Sequence, residues 1–152
     1  MRVIADFHIH TKYSRAVSKD MDLEHIAASA DKKGINVVGT GDFTHPIWFS
    51  ELKNKLEEAE PGLYKLKDSS YKVRFILSSE ISNIYTKNGR CRKIHSVILM
   101  PSLESVEEFN RRLSFKGNIV SDGRPIIGMD AKDLLGLSLE VDKRSIFIPA
   151  HI

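Results

Sequence analysis

Cysteine is almost absent from this chain: Cys91 is the only one in 152 residues. A single thiol excludes an intramolecular disulfide and a Cys-rich zinc finger, and it fits a reducing compartment. No apolar run approaches the roughly 20 residues that span a membrane, and Asp6 and His8 interrupt the N-terminus where a signal peptide would be apolar. The expectation is a cytoplasmic protein with no membrane partner. Also missing are a Walker A phosphate loop, a Gly-x-Ser-x-Gly elbow, a defensible Ser-His-Asp arrangement, internal repeats and low-complexity tracts. A helicase reading therefore has no support. No strong excess of one charge is present either: the net charge is +3 and the pI about 9.0, which permits a polyanionic partner without requiring one. The length suits one domain able to bury a core unaided.

What is present is histidine in telling places. Val3-Ile4-Ala5 reads as a short buried strand running into Asp6-Phe7-His8-Ile9-His10. Period-two alternation sends His8 and His10 to one side, where paired imidazoles begin many transition-metal sites. Asp6, in phase with both, could join them or orient a ring. Two solvated histidines at a strand end are the plainer alternative, and the rest of the chain decides.

After a polar loop the spacing predicts a helix, with Asp20 or Asp22 as its cap, Leu23, Ile26, Ala27 and Ala30 on its stripe, and Gly34 at its end. His25 falls off the stripe and reads as a surface residue. Ile35–Val38 is a second strand, and strand–helix–strand spacing points to a parallel sheet. It leads into Gly39-Thr40-Gly41-Asp42-Phe43-Thr44-His45-Pro46, placing Asp42 and His45 just past a strand's C-terminal end, where α/β folds carry chemistry. Pro46 suits the first turn of a helix faced by Trp48, Leu52 and Leu56, and residues 64–72 read as a solvated connector.

Val73–Leu77 is a third strand ending in Ser78-Ser79-Glu80, where the carboxylate could bridge metal ions. Asn88-Gly89 predicts a hairpin turn between Ser82–Tyr85 and Ile94–Met100. Its tip carries Lys87, Arg90, Arg92 and Lys93, which fit either a solvated loop or a nucleic-acid backbone contact. His95 interrupts an apolar strand, as a hydrogen-bonded core histidine or as a ligand. Pro101-Ser102 opens a helix buried through Val106, Phe109 and Leu113; residues 125–129 read as extended, and Asp130 caps a helix over 131–140. Ile146–Ala150 closes the series as a buried strand ending in His151.

Ligand-type residues thus follow or interrupt strand after strand: His8 and His10, Asp42, Glu80, His95 and His151. Jointly they predict a polynuclear metal site at one end of a β/α barrel. His and carboxylate donors without thiolates favour Zn, Mn or Fe(II), and two ions sharing a carboxylate are a device for hydrolysing phosphate esters.

Asp6-Phe7-His8-Ile9-His10-Thr11-x-x-Ser14 resembles the first motif of the PHP (polymerase and histidinol phosphatase) family. Gly39–Pro46, Ser79–Tyr85, Lys93-Ile94-His95, Ser121-Asp122-Gly123-Arg124-Pro125 and Pro149–Ile152 are similar to the endonuclease Q branch. The resemblance implies an α/β fold, a distorted seven-stranded β/α barrel of TIM-like type with two or three divalent ions (Zn, Mn or Mg, with Fe as a further option). It also implies incision of damaged DNA on the 5′ side of deaminated or missing bases. By position, His8 and His10 would bind one ion, Glu80 would bridge, His95 and His151 would hold the second, and Asp42 would serve a third. Departures are Gly41-Asp42-Phe43 where many relatives have Thr-Asp-His, and Arg15-Ala16 where some carry a ligand. About five parallel-type strands are expected, so residues 1–152 read as one PHP-type domain that stops before its last strands. Such an open barrel would favour self-association. Alternatives are a small-molecule phosphatase of histidinol-phosphatase type and a non-catalytic nucleic-acid-binding or assembly module.

Overall fold

The strand–helix–strand opening forms as predicted. In the computed structural model, which describes residues 2–151, β1 (Ala5–Asp6) pairs in parallel with β2 (Val37–Gly39), and α1 (Leu23–Lys33) crosses between them. Leu23, Ile26, Ala27 and Ala30 are buried, the Asp22 carboxylate accepts the His25 backbone N–H at 2.9 Å, and Gly34 ends the helix in the left-handed region at φ 71°. His25 is exposed, as its position off the stripe requires.

The outermost strands depart from expectation. Val3 and Ile4 are 50% and 43% exposed rather than buried, because β1 has a ladder partner on one side only among the described residues. The last strand, β8 (Ile146–Ala150), was also expected to be buried, yet Ile146 is 51% exposed for the same reason. One-sided pairing leaves the outer flank of a strand uncovered whatever its side chains prefer.

A hairpin replaces the predicted end of the second helix. α2 (Pro46–Lys55) starts on Pro46, but Leu56 begins β3 (Leu56–Glu60), which pairs antiparallel with β4 (Leu63–Leu66) across Gly62, at φ 79°. Leu56-Glu57-Glu58-Ala59-Glu60 is rich in helix formers, so local propensity pointed the wrong way. Burial of Leu56 and Tyr64, and pairing of Tyr64 with Phe75, outweigh it. The supposed solvated connector therefore contains a strand.

β5 (Arg74–Lys87) and β6 (Arg90–Met100) form a long antiparallel ladder from Leu77 opposite Met100 to Lys87 opposite Arg90. Asn88 and Gly89 both take positive φ at its turn, the combination their sequence predicts. β5 does not stop at Glu80 but runs through it. α3 (Leu103–Ser114), capped by Ser102, is buried through Val106, Phe109 and Leu113. β7 (Ile126–Ile127) lies parallel to β5, and Asp130 caps α4 (Ala131–Val141).

The described residues form an open, mixed, eight-stranded sheet with four helices. Parallel pairs join β1 to β2, β2 to β5 and β5 to β7, while β6 runs antiparallel to both β5 and β8. The expected run of parallel-type strands is thus broken by the Asn88-Gly89 hairpin, which reverses the chain without a crossover. Alternation along β5 puts Phe75, Leu77 and Ile81 into the core with Trp48, Phe109 and Leu134. Ser78, Glu80 and Ser82 fall on the opposite face, beside His95 of β6.

Candidate metal centre

Glu80 is the hub. Its side chain has no solvent exposure, and imidazoles reach both of its oxygens: His8 Nε2 at 3.0 Å and His10 Nε2 at 2.8 Å from Oε2, and His95 Nδ1 at 2.5 Å from Oε1. His95 comes from β6, across the ladder and on the same face, since it pairs with Ser82. His151, one residue beyond β8, stacks against His8 with ring centroids 5.1 Å apart and lies 5.2 Å from the His95 ring. Two groups of potential ligands result, His8–His10–Glu80 and Glu80–His95–His151, with the donor atoms within each lying within 4.8 Å of one another.

His8 and His10 arrive by a route that strict alternation does not describe. β1 ends at Asp6, and the register aligns Asp6 with Val38 and Phe75, which are buried in the core on the face opposite Glu80. The chain leaves the ladder there, and the irregular segment that follows brings both rings round to Glu80. Asp6 stays behind: its carboxylate accepts the His8 backbone N–H at 3.2 Å and belongs to neither donor group.

Asp42 stands behind His10. Its Oδ1 lies 3.1 Å from His10 Nδ1, while its Oδ2 accepts the Thr11 backbone N–H and hydroxyl, both at 2.7 Å, and the Ser14 hydroxyl at 2.9 Å. This fully buried carboxylate fixes the ring's orientation and leaves His10 Nε2 directed at Glu80. Glycine makes the approach possible. A Cβ on Gly41 would sit 2.7 Å from the Ile9 carbonyl oxygen, and one on Gly123 only 2.4 Å from Asp42 Oδ2. Trp48 Nε1 donates to the Gly41 carbonyl at 2.8 Å, tying α2 to the loop.

The electrostatics follow from this geometry. Hydrogen bonds to Asp42 and then Glu80 outweigh burial and raise the His10 pKa to about 9. Burial would raise the Glu80 pKa, but the hydrogen bonds from His10, His8 and His95 together hold it well below the usual carboxylate range. A buried anion surrounded by imidazoles is a site arranged for positive charge.

Other expected residues lie elsewhere. His45 stacks on Tyr13 at 4.4 Å, where burial lowers its pKa, and it joins neither donor group. Lys87 is paired with Asp130 at 2.5 Å, while Arg90, Arg92 and Lys93 are exposed at the hairpin tip. Thr11, Ser14 and Gly123 were present in the motifs but had no assigned role. Their signal was spacing alone, since only the folded chain shows a carboxylate for them to meet.

Solved structures resemble this chain over almost its whole length. The lesion-specific endonuclease PfuEndoQ of Pyrococcus furiosus superposes with a TM-score of 0.82 and 33% identity, over 98% of this chain and 34% of its own. The chain is similar to endonuclease Q. A second endonuclease Q structure, in complex with a 27-mer duplex substrate carrying an abasic lesion at the active site, gives the same score and identity over 35% of its length. An uncharacterised protein of Methanocaldococcus jannaschii is 34% identical over 147 residues, which make up 96% of this chain and 16% of that protein. The chain therefore spans about a third of the endonuclease Q chains and a sixth of the M. jannaschii protein. No protein-family model matches it. Among the described residues no helix is long and apolar enough to cross a membrane.

Proposed function

We propose that this chain carries the metal-binding part of a DNA-repair endonuclease that hydrolyses a phosphodiester 5′ of a deaminated or missing base, within a PHP-type barrel. One observation carries the reading: the buried Glu80 carboxylate is shared by two groups of nitrogen donors, the arrangement that holds a pair of divalent ions. The donor set fits such ions, because imidazole and carboxylate without thiolate suit Zn, Mn or Fe, while Mg would lean on oxygen donors. His8 and His10 would hold one ion and His95 and His151 the other, with Glu80 between. Bound there, the ions would supply Lewis-acid chemistry that lowers the pKa of water and offsets charge on phosphate oxygens. Glu80 would keep both positions close, and Asp42 would hold the His10 ring so that Nε2 points inward. A third ion at Asp42 would compete with the Thr11 and Ser14 donors already on Oδ2, so orientation of His10 is the role we assign it. Similarity to endonuclease Q, including a DNA-bound form, supports damaged DNA as the substrate.

The test is metal content per chain by plasma mass spectrometry for wild type, His8→Ala and His95→Ala, beside nicking of duplexes containing hypoxanthine, uracil or an abasic site. Expected are one or more ions in wild type, their loss in the variants, and metal-dependent nicking restricted to lesion strands. Metal retention that ignores both substitutions would sink the ligand assignment. Cleavage of a small phosphomonoester with no lesion DNA cut would transfer the reading to a phosphatase.

A further inference from the structure

The Ser121–Pro125 loop is held more firmly than its lack of secondary structure suggests. The Gly123 N–H donates to the Tyr13 carbonyl at 3.0 Å, and its own carbonyl accepts the Thr44 hydroxyl at 3.3 Å. Asp122 Oδ1 accepts the Arg124 backbone N–H at 3.0 Å, and the Pro125 carbonyl accepts the Ser82 N–H at 3.0 Å, joining the loop to β5. Gly123 also packs so tightly on Asp42 and Ser14 that no side chain fits there. Four fixed points on one short loop leave Arg124 little choice of position.

That position is the mouth of the donor cluster. Arg124 Nη1 lies 3.9 Å from Glu80 Oε2, beyond hydrogen-bond reach, and its side chain is 41% exposed. Four other arginines are committed: Arg74 to Glu60, Arg111 and Arg112 to Glu108, Arg144 to Asp142. The Arg124 guanidinium makes no hydrogen bond to any described residue, so its planar fork of donors is free. Beside it is a cavity of about 40 Å³ lined by His10, Ser14, Arg15, Asp122 and Arg124, room for one or two oxygen atoms. Loaded ions on Glu80 would repel the guanidinium from that carboxylate and leave it facing whatever anion the ions attract.

We propose that Arg124 is a phosphate-binding residue that takes non-bridging oxygens of the scissile group through its bidentate fork, at the edge of the metal site. This rests on the metal-dependent reading above and assigns its anion subsite. Planar two-point recognition distinguishes arginine from lysine here. The experiment loads the 152-residue chain with Mn²⁺, measures ions per chain, and titrates inorganic phosphate calorimetrically into wild type, Arg124→Ala, Arg124→Lys and the distant surface control Lys53→Ala. Expected are unchanged metal stoichiometry in all four, phosphate affinity reduced about tenfold or more in Arg124→Ala, a partial loss in Arg124→Lys, and none in Lys53→Ala. Metal uptake with phosphate affinity the same in Arg124→Ala as in wild type, or no phosphate binding by wild type, overturns the subsite alone. Loss of metal in Arg124→Ala also overturns it, since the residue would then be shaping Glu80. Failure of wild type to take up Mn²⁺ overturns the metal reading and the subsite with it.

Discussion

At the residue scale the chemistry centres on how His10 and Glu80 share charge. The folded-state pKa of His10 is about 9 against an ordinary 6.5, so its contribution to stability is fully present below pH 6.5 and is lost as pH rises through 9. Glu80 is shifted the other way, so its contribution is present above its ordinary 4.5 and is lost as pH falls toward its lowered folded value. The two shifts describe largely the same contacts. Metal-free protein is thus expected to be most stable between about pH 4.5 and 6.5, with chemical denaturation midpoints falling on the alkaline side toward pH 9. A metal ion competes with the proton for His10, so apparent affinity should climb over the same alkaline interval; an affinity flat from pH 6.5 to 9 would contradict the assignment. Asp42 makes a separate prediction. Asp42→Asn turns an amide N–H₂ toward donors at Thr11 and Ser14 or toward the His10 ring, leaving a buried group mispaired. We expect a stability loss of about 1–3 kcal/mol by urea titration. Metal affinity should fall about 10- to 100-fold if Asp42 acts by orienting His10.

At the element scale the β5–β6 ladder does two jobs at separate places along its length. Glu80 and His95 lie in the paired, buried half, and the Asn88-Gly89 turn projects roughly 23 Å further on at about 3.3 Å per residue. Arg90 stands at that distance, whereas Lys93 is two residues from His95, about 7 Å along β6, so the charges form a row from the tip back toward the candidate metal centre, a shape suited to a long polyanion. Lys87 is already paired with Asp130, leaving Arg90, Arg92 and Lys93 exposed. Replacing those three by alanine is expected to weaken duplex binding at low salt and to lower the slope of log affinity against log salt by about 2–3, as each released phosphate contact contributes close to one. Metal content should not move. An unchanged slope would mark the tip as a solvated loop. The hairpin turn was readable from Asn88-Gly89, but the continuity of β5 through Glu80 was not, because polar Ser78, Ser79 and Glu80 resemble a strand's end when the pairing partner is unknown.

At the scale of the whole molecule the open sheet is the dominant fact. β1 and β8 each have one ladder partner among the described residues, and Val3 and Ile4, just before β1, and Ile146 and Ile148, in β8, are partly exposed. Unpaired strand flanks bearing apolar side chains are templates for further pairing. Light scattering over a concentration series is expected to show self-association of the 152-residue chain, reduced by Ile146→Lys with Ile148→Lys. A monomer at every concentration would show that these flanks are tolerated by solvent. His151, a candidate donor, sits directly after β8, so pairing at that edge and metal loading should report on each other.

The sequence by itself determined the helices and turns, because caps, apolar stripes and positive-φ residues act over a few positions: Asp22 and Gly34 around α1, Ser102 before α3, Asn88-Gly89 between β5 and β6. It also identified the residues of the two donor groups, since histidines and carboxylates clustered at strand ends stand out against an apolar background. Only the tertiary structure decided which of them meet. Asp6 is in phase with His8 and His10 along the chain yet lies on the far face of the sheet, because β1 ends at Asp6, two residues before His8, and the chain leaves the ladder there. Leu56 has a helix former's neighbours yet pairs as a strand. Asp42 finds Thr11 and Ser14, and Arg124 finds the edge of Glu80, through loops whose course depends on packing between distant segments. Local chemistry is written in neighbouring residues, whereas convergence depends on contacts between residues far apart in the chain.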